Sequence, residues 1–560
     1  MAFDAPLSPT LRVSNFSLNF GPVQALTNVS LDIGHGRIMG IVGESGSGKS
    51  TLARATLGLL PRFAKVRSGF IDFEGTDIAG LDIADWRTIR GSKITYISQD
   101  PLRALAPTLT IGDLMTDIQY RSPDTKQQKR ERAIAALERV GLPKPEQRLK
   151  MYPHELSGGQ RQRVSIAMAV MQKPSLLIAD EATTALDATL ELEIIGLLKE
   201  LQSEIGCSMM FVTHHLGVVA SLCDDVTVLH NGVVQEQGTV QNVFGQPAAP
   251  YTKTLLRCDP AMIAEKTRRL PTTSDDPDAP QIIDTGPVDR IKTDKPPIIT
   301  IKDLDVTFRQ KPFLGGLFGH TGYKIQAVKK ANLSILEGET IAVVGESGSG
   351  KTTLARTILG LQEPEGGSIH FDGKDLTKLS HADYSAVRKD IAIMFQDPVG
   401  ALSPRMRVKD IVTEPLVIHG VPCEDQGAEA LRLLGLVGLN ESFMDRYPHE
   451  ISGGQARRVS MARAIALQPK LIVADEPTAG LDVSIQGEIL NLIAEVQDRT
   501  GVAILLITHN LNVVRHISDR VAIMYIGDFL EVDQTETIFA NPRHDYTRKL
   551  IEAHVHPEFG

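Results

Sequence analysis

The chain has 560 residues, enough for three or four domains, and carries 59 Lys+Arg against 68 Asp+Glu for a formal net charge of −9. That acidity argues against an electrostatic grip on nucleic acid, while 42% apolar and 23% charged residues are ordinary globular usage. Four scattered cysteines (Cys207, Cys223, Cys258, Cys423), with no CxxC pair, exclude a disulfide framework and point to a reducing compartment. The start, MAFDAPLSPTLRVSNF, lacks the basic-then-apolar pattern of a signal peptide, and no run approaches the ~18–20 apolar residues that span a bilayer. The expectation is a soluble, multidomain, intracellular protein. Any work at a membrane would need other chains to cross it.

In chain order, the first telling element is the apolar run RIMGIVG, a strand leading into GESGSGKST at Gly43–Thr51. This fits G-x-x-x-x-G-K-[ST] in the strand context that the pattern requires. Gly43, Gly46 and Gly48 let the backbone curl so that N–H groups from Ser45 to Thr51 face phosphate oxygens. The following helix presents its positive end to the same anion. Lys49 is the expected β/γ-phosphate ligand, and the Ser50 hydroxyl suits Mg²⁺, a hard cation that prefers oxygen.

A loop-like stretch follows near LPRFAKVRSG, and KQQKRER at Lys126–Arg132 reads as a solvated helix face. LSGGQ at Leu156–Gln160 places Ser157 at a helix N-cap, with Gly158 and Gly159 exposing backbone N–H groups ahead of Gln160. That is a second anion site. SLLIADE ends a buried strand on Asp180, placed to hold Mg²⁺ directly or through water, and Glu181, the candidate general base. Short apolar strands separated by helical stretches give an α/β class whose sheet is covered on both faces.

The second half repeats the first. GESGSGKTT at Gly345–Thr353 follows its counterpart by 302 residues, whereas YPHEISGGQ, ADEPTAGLD, His509 and Tyr546-Thr547 follow theirs by 295. About seven extra residues therefore lie upstream of LSGGQ in the first half, assigned mostly to the LPRFAKVRSG stretch. The equivalent candidates are Gly345, Ser347, Gly348, Gly350, Lys351, Thr352 and Thr353, then Ser452, Gly453, Gly454 and Gln455, with Asp475 for the metal and Glu476 as base. The Pro/Asp-rich stretch between the copies reads as an extended linker, so the domains fall at 1–267 and 298–560 with the linker at 268–297. Some thirty flexible residues have an r.m.s. reach of roughly 30 Å.

With LSGGQ and ISGGQ, the sequence resembles the ATP-binding subunits of ABC transporters. The resemblance runs through Gln99 and Gln396 (SQDP, FQDP), Asp187 and Asp482 (ALD, GLD), and His214 and His509 (VTHH, ITHN). It implies two tandem P-loop nucleotide-binding domains, each with a helical subdomain carrying the LSGGQ-type motif. It implies Gln99 and Gln396 as metal contacts, His214 and His509 as catalytic residues, and Phe20 as the adenine-stacking aromatic. Phe308 matches in the second half, where Tyr323 after the FLGGLFGHTGYK insertion competes for the role. The two domains are expected head to tail, each ATP lying between one P-loop and the other half's LSGGQ-type motif.

FGQPAAPYTKTLL and FANPRHDYTRKLI narrow the resemblance to dipeptide/oligopeptide/nickel-type importers. In that reading the chain takes ATP and Mg²⁺ as cofactors. It works on two membrane-spanning permeases, served by an extracytoplasmic substrate-binding protein, as a peripheral protein on the cytoplasmic face of the inner membrane, without nucleic acid. Three departures stand out. Ala182 replaces the Pro477 of the second half, His215 and Asn510 stand as bystanders where Asp is usual, and Cys258 alone cannot hold an iron–sulfur cluster. The alternative is a soluble tandem ATPase acting on ribosomes or DNA; the acidic, Pro-rich linker speaks against it.

Overall fold

The computed structural model describes residues 9–183, 187–263, 265–273, 275, 283–284, 286–287, 290–309 and 324–554. The centre of each half is built of strands buried at every position, such as Ile38–Val42, Leu176–Asp180 and Ser208–Val212, matched by Thr340–Val344, Leu471–Asp475 and Ala503–Thr508. A strand covered on both faces needs apolar residues at odd and even positions alike, which is why these segments read as unbroken apolar runs.

In the first half the sheet runs Val233–Thr239, Asp225–His230, Ile38–Val42, Ser208–Val212, Leu176–Asp180, Ile94–Ile97, parallel except at its Val233–Thr239 edge. The second half repeats this order from Asp528–Gln534 to Ile391–Met394. Parallel strands put their carboxyl ends on one edge. There Val42 runs into the glycine-rich loop and Leu176–Asp180 delivers its terminal carboxylate.

Each half adds a four-stranded antiparallel sheet, Val23–Ile33, Leu11–Phe20, Ala64–Phe73, Thr76–Asp77 in the first and Lys324–Ile335, Ile299–Arg309, Gly366–Phe371, Lys374–Asp375 in the second. The LPRFAKVRSG stretch is thereby corrected. From Ala64 onward it is strand, pairing Ala64 with Phe20 and Val66 with Leu18, and the strand is ten residues long against six in the second half. Its outward residues are mostly exposed, so the sequence lacked the apolar alternation that marks a strand.

A helical subdomain sits between Ile94–Ile97 and Leu176–Asp180. Its helix Lys126–Arg139 starts on a Thr125–Gln128 capping box, buries Ala133, Ala136 and Leu137, and turns most of KQQKRER to solvent. The free-linker expectation is corrected as well. Ile263 and Leu270 are buried in the second-half core, and Lys266, Arg268 and Arg290 bond to the same half. Reciprocally, the C-terminal helix Asp545–Glu552 packs against Ala188–Ile205 of the first half. Among the described residues, no helix is long and apolar enough to cross a membrane.

Candidate functional site

The glycine-rich loop curls as the sequence requires. Gly46 has φ +81° with open space where a Cβ would stand, and Gly48 has φ +104°. In the second half a Cβ on Gly350 (φ +110°) would lie 2.1 Å from the Ala327 carbonyl oxygen. Only glycine fits there. Each loop is closed by its lysine: Lys49 Nζ donates to the Gly43 and Glu44 carbonyls at 2.7 and 2.8 Å, and Lys351 Nζ does the same to Gly345 and Glu346. Burial pulls both ammonium groups below the usual lysine range, against the pull of Glu181 on one and Glu476 on the other. An anion in the loop would restore them.

Ser50 and Asp180 meet as expected, Oγ donating to Oδ1 at 3.1 Å, while the Tyr96 hydroxyl donates to Oδ2 at 3.2 Å. In the second half Thr352 bonds Asp475, whose buried Oδ1 has no partner. Burial pushes both carboxyls above the ordinary aspartate range. A hydroxyl beside a desolvated carboxylate, with a spare oxygen on Asp475, is a donor set that suits a hard divalent cation.

The next residue carries the sharpest signal of function. Glu181 and Glu476 sit at φ +49° and +50°, left-handed backbone that a glutamate does not favour. The turn swings each carboxylate toward its histidine: His214 Nδ1 lies 3.3 Å from Glu181 and His509 Nδ1 2.8 Å from Glu476. Against an ionised carboxylate, Nδ1 carries the proton of that bond. Gln99 is drawn into the same group, its amide donating to Glu181 at 2.5 Å, and both Gln99 and Gln396 are exposed.

Ser157 and Ser452 cap their helices in reciprocal boxes with Gln160 and Gln455. A Cβ on Gly158 would meet open space, but one on Gly159 would fall 2.4 Å from Leu190, so the second glycine also serves helix packing. Across the halves, the Ser45 N–H donates to Asp482 at 2.7 Å, and Glu346 bonds Thr189 beside Asp187. Each P-loop therefore faces the ALD or GLD aspartate of the other half.

Phe20 meets Phe63 edge to face at 5.7 Å, Phe308 is exposed, and Tyr323 lies outside the described residues. The two supposed bystanders have structural partners. Asn510 caps the helix Leu511–Ile517, and His215 pairs with Glu191 at 3.2 Å. Ala182 is buried, its carbonyl accepting from Gln162 at 2.6 Å. Cys258 is buried, and burial pushes its thiol up to about 12. Sequence reading missed Tyr251 and Tyr546, whose hydroxyls accept the Glu44 and Glu346 N–H groups at 3.3 and 3.2 Å. Their recurrence in the two YT pairs was the available signal.

A P-loop, a strand-end Asp-Glu pair, a partnering histidine and a serine-capped helix, present twice, define an ABC-type ATPase. The ABC transporter family model matches residues 26–184 and 328–479, and the oligopeptide/dipeptide transporter C-terminal region model matches 235–286 and 530–559. The chain belongs to the ABC transporter family and is one of its ATP-hydrolysing subunits. It is 40% identical to the glutathione import ATP-binding protein GsiA of Escherichia coli (strain K12), over 97% of this chain and 89% of that one. GsiA of Shigella boydii serotype 4 (strain Sb227) matches equally. Among solved structures, the dimeric post-hydrolysis ATP-binding cassette MJ0796 bound to ADP and Pi is 29% identical, covering 42% of this chain and 98% of its own, with a TM-score of 0.38. The two family models and the GsiA proteins favour the transport reading over a ribosome- or DNA-acting one.

Proposed function

We propose that this chain is the MgATP-driven engine of an importer for peptides or related small solutes. It docks from the cytoplasmic face onto two permeases, with an extracytoplasmic binding protein delivering cargo. The peptide-type cargo rests on the C-terminal region matched in both halves and on the likeness to proteins named for glutathione import. The observation that carries the engine is the reciprocal crossing of P-loops and aspartates between halves. It supports two composite sites, one pairing Lys49, Ser50, Gln99, Asp180, Glu181 and His214 with Ser452–Gln455. The other pairs Lys351, Thr352, Gln396, Asp475, Glu476 and His509 with Ser157–Gln160.

In each site the lysine and loop amides bind the phosphates, and the serine-capped helix closes the opposite face. Mg²⁺, held by the Ser50/Asp180 or Thr352/Asp475 oxygens, supplies charge neutralisation for the phosphates when bound. Glu181 and Glu476 accept the proton of the attacking water, each oriented by its histidine. Phe20 and Phe308 serve the adenine. Hydrolysis removes the ligand that favours the closed state, so the halves reopen. By the sequence repeat the domains divide at 1–267 and 298–560, and the tail of the first crosses to the second from Ile263 onward.

Uptake of labelled glutathione and of dipeptides tests this reading in cells carrying the chain with its neighbouring permeases. Uptake of at least one should vanish in a Glu181→Gln, Glu476→Gln variant. Uptake indifferent to that variant, or cofractionation of the chain with ribosomes, would sink it.

A further inference from the structure

The C-terminal region of the first half does not finish on the first half. Met262 packs against the first-half cluster around Leu255, and the next residue, Ile263, belongs to the second-half core. From there the chain is bonded to the second half at short intervals. Pro260 accepts from His516 Nε2 at 3.0 Å, and the Thr267 N–H donates to the other ring nitrogen at 3.4 Å. Lys266 reaches the Ser518 carbonyl and Glu536.

Arg268, 5% exposed, donates to the Ala494 carbonyl, to Gln497 at 2.6 Å and to Asp498 at 2.9 Å. Asn491 holds the Leu270 backbone from both sides at 2.8 Å. After 282 the chain returns, and Arg290 binds Asp519, Gln497 and the Gly338 carbonyl. Two guanidiniums and two carboxylates are thus neutralised in one place.

The seat is particular to the second half. A Cβ on Gly487 would stand 2.9 Å from the Pro271 carbonyl oxygen, so the strap needs glycine there. At the 295-residue offset, Gly487, Asn491, Asp498 and His516 correspond to Leu192, Gly196, Ser203 and Ser221. None of these offers the same chemistry, and Leu192 would block the groove. The first half cannot bind this segment as the second does.

We propose that the described residues of 260–273 and 283–290, with this seat, form a clasp that joins the two halves whether or not nucleotide is bound. Opening of the ATP sites is then a rotation about the clasp and not a separation of free domains. A joint of this kind keeps the second half at high effective concentration through the whole cycle. The partner that fits the seat is this chain's own first-half tail, recognised through one buried leucine and two buried arginines.

The test is made in the full-length chain with a protease recognition sequence inserted between Asp276 and Pro280, cut after folding and stripped of nucleotide. The fragments should co-elute in size exclusion without ATP. Arg268→Ala or Gly487→Leu should raise their dissociation constant about 100-fold, the scale set by breaking a buried ion pair. Cut wild type that separates without nucleotide, or variants that hold as tightly as wild type, would overturn the clasp. A readout free of variants is amide exchange in the uncut protein. The Arg268 and Leu270 amides, bonded to Asp284 and Asn491, should exchange slowly with and without ATP. Protection that appears only with ATP would overturn the proposal even if a variant failed to fold.

Discussion

The backbone N–H of Ser45, in the P-loop of the first half, donates to Asp482 of the second at 2.7 Å, across 437 residues of sequence. Asp482 is buried, its other oxygen has no partner, and its charge falls on Lys49. The P-loop backbone of one half is therefore held by a carboxylate of the other, whose charge also favours the Lys49 ammonium.

Asp482→Ala should lower turnover at the first site by about tenfold or more, the worth of a charged hydrogen bond. The effect should be read in a Glu476→Gln background, where only the first site turns over. ATPase kinetics equal to those of the background alone would show that the contact is incidental.

Glu181→Gln and Glu476→Gln should each cut hydrolysis at the altered site by ~10²–10⁴ while leaving ATP binding intact. Both glutamates share the left-handed backbone and the histidine partner, so both sites should prove competent. Single-turnover measurements on each variant check this. Wild-type turnover by either one would refute the symmetric account.

Gly158→Ala and Gly159→Ala should part company. A methyl group at 158 meets open space, whereas at 159 it meets Leu190 at 2.4 Å. Gly159→Ala should destabilise the fold by about 1–3 kcal/mol, and Leu190→Ala in the same chain should recover part of that loss. Denaturant midpoints for the four chains decide it. Equal midpoints for the two alanines would remove the packing role.

Repetition made most of the site legible. The P-loops, strand-end acids, serine-capped motifs and histidines announce themselves because each is a local pattern printed twice. What stayed hidden is non-local or exposed. The Ala64–Phe73 strand leaves every residue from Lys65 to Phe70 exposed, so no buried alternation marked it. The clasp depends on Arg268 and Leu270 finding partners more than 220 residues away, and its Pro/Asp-rich composition looks like free chain. The positive φ at Glu181 and Glu476 leaves no trace in residue type. His215 and Asn510 were read against a family pattern when their partners, Glu191 and a helix N-terminus, lay elsewhere.

The clasp carries a pH dependence. His516 is buried between Pro260 and Thr267, with Arg515 and Lys266 nearby, and burial first, then these cations, hold its pKa at about 4 against an ordinary 6.5. The unfolded chain takes the proton first as pH falls. Stability is thus full above pH 6.5 and is lost toward pH 4, by about 3 kcal/mol at most. Relative to His516→Gln, the wild-type urea midpoint should decline across that window and stay level above pH 7. A difference that does not change with pH would contradict the neutral, doubly bonded imidazole.

The central claim is that each ATP needs both halves, and a double-mutant comparison addresses it most directly. Ser157 lies in the first half, yet in this account it acts on nucleotide held by Lys351. Ser157→Arg combined with Lys351→Ala should hydrolyse ATP little worse than either alone, since both disable one composite site. Ser157→Arg combined with Lys49→Ala should disable both sites and abolish turnover. If instead the Lys49 pairing is the non-additive one and the Lys351 pairing abolishes turnover, each site is complete within its own half and the account is wrong.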